Sequence, residues 1–169
     1  MKDDNREDRS FLLARSLLTG FIGGIFWSAV GVVMYYFNFT EITPKTFIFR
    51  SWKTSGWTEG WLGDVVSIFV LGIISILIAF IYYGLLKKVN SMWMGVIYGI
   101  IIWVIFFMFI QQMFPNAKQF IDLSKDTIIS TLSLFILYGA FIGYSISYDY
   151  YDTQVLGKAK DTKKHENLN

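Results

Sequence analysis

Cysteine is absent from the chain, and histidine occurs only once. Without cysteine, disulfides and thiolate metal sites are excluded, but the absence of cysteine does not indicate whether the protein's surroundings are oxidising or reducing. The one histidine, His165, stands among lysines with no second ligand at metal-binding spacing, so we predict no metal site and no cofactor. The serines of the apolar segments lack a Gly-x-Ser-x-Gly elbow and a histidine or acid to activate them. We therefore predict no catalytic residue and no enzyme.

Charge is scarce as well, at 17% of the residues against about 25% in ordinary globular proteins. The charged positions leave four uncharged runs, residues 16–40, 65–86, 89–117 and 127–148. Each run exceeds the roughly 18 residues that indicate a membrane-spanning helix. A soluble bundle would keep a charged stripe on each helix, and a membrane barrel would alternate apolar and polar residues, whereas these runs do neither. The sequence predicts an all-α integral membrane protein, a bundle of four transmembrane helices.

The charges that flank each run set the predicted boundaries. The spans are residues 16–39, 64–86, 91–114 and 127–148. The first span is too long for the apolar part of a signal peptide, so we expect it to stay as an anchor. The other pieces are an N-terminal segment (1–15), an aromatic loop (40–63), a turn (87–90), a third loop (115–126) and a C-terminal tail (149–169) whose mixed charge predicts disorder.

Lysine and arginine predict the orientation, because they are retained on the cytoplasmic side. Four spans put both termini on one side, together with the turn between the second and third spans. That side carries ten of the 15 Lys and Arg, which predicts an N-in, C-in topology. Lys87 and Lys88 determine it most directly, because in every other segment outside the runs the acidic residues balance the basic ones.

The aromatic loop has a composition unlike that of a solvated linker. It contains Trp52, Trp57 and Trp61, and Pro44 is placed to begin a short helix. Tryptophan concentrates at membrane interfaces, so one interpretation places this loop on the outer leaflet. The other makes it a contact surface for an extracytoplasmic partner.

Small residues are placed where helices can approach closely in lipid. They recur at spacings of three and four on the first, third and fourth spans, beside Trp27 on the first. We interpret these faces as packing the four helices on one another, with a dimer seam or a partner's helix on the first span as the alternative. The predicted packing residues are Ser16, Gly20, Gly23, Gly24, Gly31, Gly95, Gly99, Gly139, Gly143 and Ser147.

Ionisable residues are missing from the interior of all four runs. Such residues normally mark proton or ion pathways, because their burial is expensive, so their absence argues against a proton-coupled carrier. The nearest are Arg15, Asp64, Lys87, Asp126 and Asp149, all at run boundaries. There we expect each charge to reach the interface.

The chain as a whole resembles the YqhR family of conserved membrane proteins from Bacillus-like bacteria. The resemblance covers its size and four spans, the opening helix Gly-Phe-Ile-Gly-Gly-Ile-Phe-Trp at 20–27, the pattern Trp57-x-x-x-Trp61-Leu-Gly-Asp64 and the lysine turn. It implies a multi-pass protein of the bacterial cytoplasmic membrane. The family has no established activity, so the resemblance assigns no catalytic or binding residue.

Two functions remain open at this point. The first is a non-enzymatic scaffold or modulator that acts through its helix faces or its aromatic loop. The second is a small transporter or channel component that works as an oligomer. In either case we expect the lipid bilayer around the chain, a second copy or another membrane protein as the partner, and no nucleic acid. Solute flux in proteoliposomes would favour the second function, and a defined protein partner the first.

Overall fold

The computed structural model describes residues 4–49, 56–87, 89, 91–114 and 118–166, and every regular element among them is helical. Four segments are long and apolar enough to cross a membrane, Ser10–Tyr36, Trp61–Leu86, Met92–Met113 and Lys125–Thr153, so the predicted four-span, all-α architecture is present. The α-helices are α1 (Asp4–Tyr36), α2 (Pro44–Phe49), α3 (Gly56–Glu59), α4 (Trp61–Leu86), α5 (Met92–Ile105) and α6 (Lys125–Glu166).

The first and last helices extend well past the predicted spans. Helix α1 begins at Asp4, inside the segment 1–15 that we placed before the first span, and α6 continues to Glu166. The prediction of a disordered tail from residue 149 therefore differs from the structure, which is helical there up to Glu166. Extending a helix that already exists needs no new nucleation, and a 3.2 Å ion pair between Arg15 and Asp149 joins the two helices at this end.

Helix α1 ends in a Schellman motif. Its C′ residue is Asn38, which has a positive φ of 60°. The Asn38 N–H donates to the carbonyl of Tyr35, and the Phe39 N–H donates to that of Met34. Asparagine adopts this left-handed conformation more readily than most residues. The helix therefore stops at Tyr36, three residues before the predicted end of the first span, and the chain turns toward α2.

The third span changes its helical form along its length. It is an α-helix to Ile105, a π-helix over Phe106–Ile110, and a 3₁₀ turn over Gln111–Met113. In the π segment the Gln111 N–H donates to the Phe106 carbonyl, five residues back. Single π turns are rare and occur frequently at functional sites.

The helices pack in two close pairs, α1 on α4 and α5 on α6, and α1 also packs on α6. Small residues form the closest contacts. A Cβ added to Gly24 would collide with the Ser75 side chain of α4, and one added to Gly139 would lie 2.5 Å from the Gly95 carbonyl oxygen and from the Gly99 Cα. Close backbone approach of this kind drives helix association in lipid. We call the end that carries the described residues 37–49, 56–60, 114 and 118–124 the loop end.

The centre of the bundle is tied together by hydroxyl groups. The Ser75 hydroxyl of α4 donates to the Gly20 carbonyl of α1 at 2.6 Å and lies 2.5 Å from the Tyr138 hydroxyl of α6. The Tyr98 hydroxyl of α5 donates to the Ile78 carbonyl of α4 at 2.7 Å. Each bond joins two different helices, so a polar side chain facing the bundle interior is satisfied without water.

Candidate functional site at the loop end

The most unusual residue of the described chain is a buried acid, Asp64. It lies in the first turn of α4, where a negative charge is favoured by the helix dipole, and it is only 5% exposed. The chain fits tightly here, because a Cβ on Gly63 would collide with the carbonyl of Thr58. Neighbouring residues of the protein cover the carboxylate. That this charge lies at the membrane interface stays a prediction.

Three donors surround the Asp64 carboxylate. The Tyr36 hydroxyl donates to Oδ2 at 2.9 Å, and the Lys45 ammonium lies 3.2 Å from the same oxygen. The Thr43 hydroxyl lies 3.5 Å from Oδ1. Because hydrogen bonds to a carboxylate are stronger than those between neutral groups, these contacts hold the Asp64 side chain in place. They also join the end of α1, the segment that follows it and α2 to the start of α4.

Helix α2 carries Lys45 into this cluster. It begins at Pro44, as predicted, and none of its six residues is fully buried. The Lys45 side chain is 19% exposed and that of Asp64 is 7% exposed. A largely buried ion pair costs free energy to form, because both charges lose their hydration. Removing only one of the two partners is also strongly destabilising, because the other charge is then left buried.

The other side of α2 joins a cluster of aromatic rings. The Phe47 ring lies 4.7 Å from that of Phe106, the first residue of the π segment, and 5.9 Å from that of Phe114. Trp103 of α5 and Phe120 of the third loop continue the cluster, with their rings 5.7 Å apart. Edge-to-face contacts dominate, as expected for aromatic pairs. Rings of the third span therefore join α2 and the third loop in one aromatic cluster.

A second set of polar contacts ties the start of α6 to the same connection. The Glu41 N–H donates to the Thr127 hydroxyl at 3.0 Å, and Ser124 caps α6 by accepting the Thr127 N–H at 3.2 Å. Glu41 also forms an exposed ion pair with Lys118 at 3.0 Å. We call the described residues 37–49, 56–60, 114 and 118–124 the cap. The cap contacts α1, α4, α5 and α6.

Two buried polar atoms have no hydrogen-bond partner among the described residues, Trp27 Nε1 and Gln111 Oε1. Gln111 lies directly after the π segment, and its side-chain NH₂ donates to the Lys118 carbonyl of the cap. An unpaired buried acceptor is unfavourable. The position of Gln111 therefore indicates that helix packing is less regular at the loop end of the third span.

The predicted packing residues lie inside the bundle. Nine of them are buried, and Gly31 is half-buried, where an added Cβ would lie 3.7 Å from the Leu134 side chain of α6. Gly23 faces Phe141 and Ile142 of α6, and Gly143 faces Gly95 of α5. The small-residue face of α1 is thus in contact with α4 and α6 of the same chain.

The predicted loop and topology residues are spread more widely. Trp61 is the first residue of α4 and not part of the loop, and it is 70% exposed. Trp57 falls in α3, but its side chain and the whole of Trp52 and Lys88 lie outside the described residues. The Lys87 ammonium stands 3.9 Å from the centre of the Tyr83 ring, a cation–π contact.

Lys45 and Phe47 were not singled out from the sequence, where neither shows a pattern that points to its partner.

Comparison with known proteins gives a consistent result. A family model described as conserved membrane protein YqhR matches residues 1–162. The chain is also similar to the uncharacterized protein YqhR of Bacillus subtilis (strain 168), with 41% identity over 143 residues that cover 82% of this chain and 78% of the relative. No solved structure matches the chain. Among the described residues, no group of three or more His, Cys, Asp or Glu side chains is placed to hold a metal ion.

Proposed function

The chain belongs to the YqhR family of conserved membrane proteins, and from that premise we propose that it is a non-enzymatic scaffold or modulator that binds another membrane protein through its cap. It resides in the bacterial cytoplasmic membrane with both termini and the 87–90 turn in the cytoplasm. The cap then faces the outer side.

The observation that supports this proposal is the amount of specific structure in the cap. A loop that only links two spans needs enough residues to reach from one to the other, and it needs no specific contacts of its own. This one is held by the buried pair of Lys45 and Asp64, by the packing of Phe47 on Phe106, and by the bond from Glu41 to Thr127. A surface held in one shape loses little conformational freedom when it binds, which favours affinity.

The cap also exposes large apolar side chains. Ile121 is 89% exposed, the highest value among the large apolar residues described, and Phe37 and Phe39 are exposed as well. These residues lie in the connections beyond the ends of the candidate spans. Exposed apolar groups on a rigid surface are typical of protein contact sites.

The interior of the bundle favours binding over transport by a single copy. Along the contact of α5 and α6 the backbones meet at glycines, and at the centre Tyr82, Tyr98 and Tyr138 are buried with their rings in the core. Transport would need a polar path through these helices. The described spans provide tight contacts there instead, so a transport role would depend on the assembly of several copies.

Crosslinking in native membranes tests the proposal. A photoreactive phenylalanine analogue is placed at Ile121, at Phe37 and, as the control, at Leu77, which is 64% exposed in the middle of α4. We expect the same defined protein adduct, identified by mass spectrometry, from both cap positions and none from Leu77. An absence of cap adducts, or an identical set of adducts at all three positions, would contradict the proposal.

A further inference from the structure

The outward face of α6 differs in chemistry from the outward faces of its neighbours. Among the described residues of α4 and α5, no exposed side chain carries a hydroxyl group. In α1 the exposed hydroxyl residues lie at the two ends of its candidate span, Ser10–Tyr36. Helix α6 exposes four within its candidate span, Ser133, Tyr144, Tyr148 and Tyr151. Polar side chains of membrane helices commonly form hydrogen bonds across helix contacts, so this face is unlike one that meets only acyl chains.

The exposed hydroxyl residues and one leucine form a single stripe along α6. On a helix of 3.6 residues per turn, five residues project within about 60° of arc over about 27 Å: Ser133, Leu137, Tyr144, Tyr148 and Tyr151. Leu137 is 53% exposed, and the three tyrosines are 56% to 60% exposed. The contacts of α6 with α1 and α5 involve other residues, such as Ile142 and Gly139. We call these five residues the tyrosine stripe.

Two rings of the tyrosine stripe are already arranged against each other. The centres of the Tyr144 and Tyr148 rings lie 5.9 Å apart, and their planes differ by 22°. A tyrosine side chain supplies a large contact area at a low cost in conformational entropy. Because these two rings are stacked before any partner is present, binding at this surface restricts them little further.

The tyrosine stripe is complementary to itself. It contains no charged residue, and a hydroxyl group can both donate and accept a hydrogen bond, so the same stripe on a second copy offers matching groups without like-charge repulsion. The Ser133 hydroxyl donates to the Ile129 carbonyl of its own helix at 2.8 Å and can still accept. Two copies that insert in the same direction hold α6 in parallel, which places identical residues at the same depth about a two-fold axis.

The exposed area of the tyrosine stripe is sufficient for a dimer contact. A whole aromatic side chain buries about 150–250 Å². Three tyrosines that are 56% to 60% exposed therefore offer about 260–440 Å² in each copy. Two copies bring about 520–880 Å² from tyrosine alone, and Leu137 adds to this area, against about 1,000 Å² for a specific interface.

We propose that the tyrosine stripe of α6 binds the same stripe of a second copy of this chain, in a parallel dimer within the membrane. Tyrosine is also common where helices meet lipid headgroups, but Leu137 and Ser133 continue the stripe to the middle of the span. The small-residue face of α1, the alternative dimer seam, packs inside its own bundle. The dimer does not depend on the partner proposed for the cap, which lies at the loop end.

Disulfide crosslinking of the full chain in native membranes tests the contact. The chain has no cysteine, so a single introduced cysteine reports on one position. Leu137→Cys lies on the stripe, and the matched control Leu77→Cys is 64% exposed in the middle of α4. After oxidation we expect a disulfide-linked dimer of this chain from Leu137→Cys and at least tenfold less from Leu77→Cys.

The contribution of the tyrosines is measured with purified, fluorescently labelled protein in liposomes. Photobleaching steps are counted over a series of protein-to-lipid ratios. We expect Tyr144→Ala combined with Tyr148→Ala to raise the ratio at half dimerisation by about tenfold or more, because interface tyrosines often carry much of the binding energy. The control is Ile73→Ala combined with Leu77→Ala, an exposed pair at the same spacing on α4, which should change that ratio by less than about twofold.

Four results would overturn the dimer. Equal disulfide yields at positions 137 and 77 would indicate random collision, and a disulfide from position 137 to a different protein would assign the stripe to another partner. Single-step bleaching of the wild type at every ratio would leave the tyrosines as lipid contacts. An unchanged ratio at half dimerisation in the tyrosine variant would place the contact elsewhere.

Discussion

Gly139→Leu should prevent the bundle from folding or lower its stability by about 3 kcal/mol or more, at the upper end of the range for overpacked cores. The reason is the nature of the neighbours. A Cβ at this position would lie 2.5 Å from the Gly95 carbonyl oxygen and 2.5 Å from the Gly99 backbone nitrogen. These are main-chain atoms of α5 that cannot rotate away, so α5 and α6 would have to separate along their length.

The matched control for this substitution is Gly84→Leu. Gly84 lies in α4, and a Cβ there has no atom within 4 Å, so leucine should be accommodated in a lipid-facing position with little loss. Stability is measured as the resistance of the purified protein to SDS or heat, with fluorescence-detected size exclusion as the readout. Gly24→Leu should behave like Gly139→Leu, since its Cβ would meet Ser75 and Gly72. Wild-type stability and oligomeric state in both variants would contradict the close packing of these helices.

Asp64→Ala should produce the second-largest effect, a loss of about 3 kcal/mol. The substitution removes the acceptor for the Tyr36 hydroxyl and the Lys45 ammonium, and the Lys45 side chain that loses this carboxylate is only 19% exposed. Asp64→Asn should lose less, because an amide oxygen can still accept from Tyr36 while the attraction to Lys45 is reduced.

Glu41→Ala is the control for Asp64→Ala, because it removes a carboxylate from the exposed pair with Lys118 at the same end of the bundle. Exposed pairs are worth about 0–1 kcal/mol, so we expect this variant to unfold almost as the wild type does. The two variants are compared by the same SDS and heat titrations. Equal losses in Asp64→Ala and Glu41→Ala would show that burial of the Asp64 pair has no energetic consequence.

The spans could be predicted from sequence because lipid imposes one strong condition. In the hydrocarbon of the bilayer, backbone polar groups must form hydrogen bonds without water, and charged side chains are excluded. The charges therefore lie at the ends of each run, and four uncharged runs give four spans. The packing faces follow for a similar reason, since only small residues allow the close approach seen where Gly139 meets Gly95 and Gly99. Both signals are local in the chain, which is why they can be recognised without a structure.

The cap could not be predicted in the same way, because its contacts join distant residues. Lys45 and Asp64 are 19 positions apart, and Glu41 and Thr127 are 86 apart, and no periodic pattern marks either pair. The helical ends of α1 and α6 were missed for a different reason. Mixed charge predicts disorder when a segment stands alone, but here it continues a helix that already exists.

The arrangement of the four spans across the membrane is the central claim, and topology reporters at Gly56 and Gly157 test it most directly. Gly56 begins α3 in the first connection, and Gly157 lies in α6 beyond the fourth candidate span, which ends at Thr153. We expect a reporter at Gly56 to be active outside the cytoplasm and one at Gly157 to be active inside it. Reporters that place both positions on the same side would contradict the four-span arrangement.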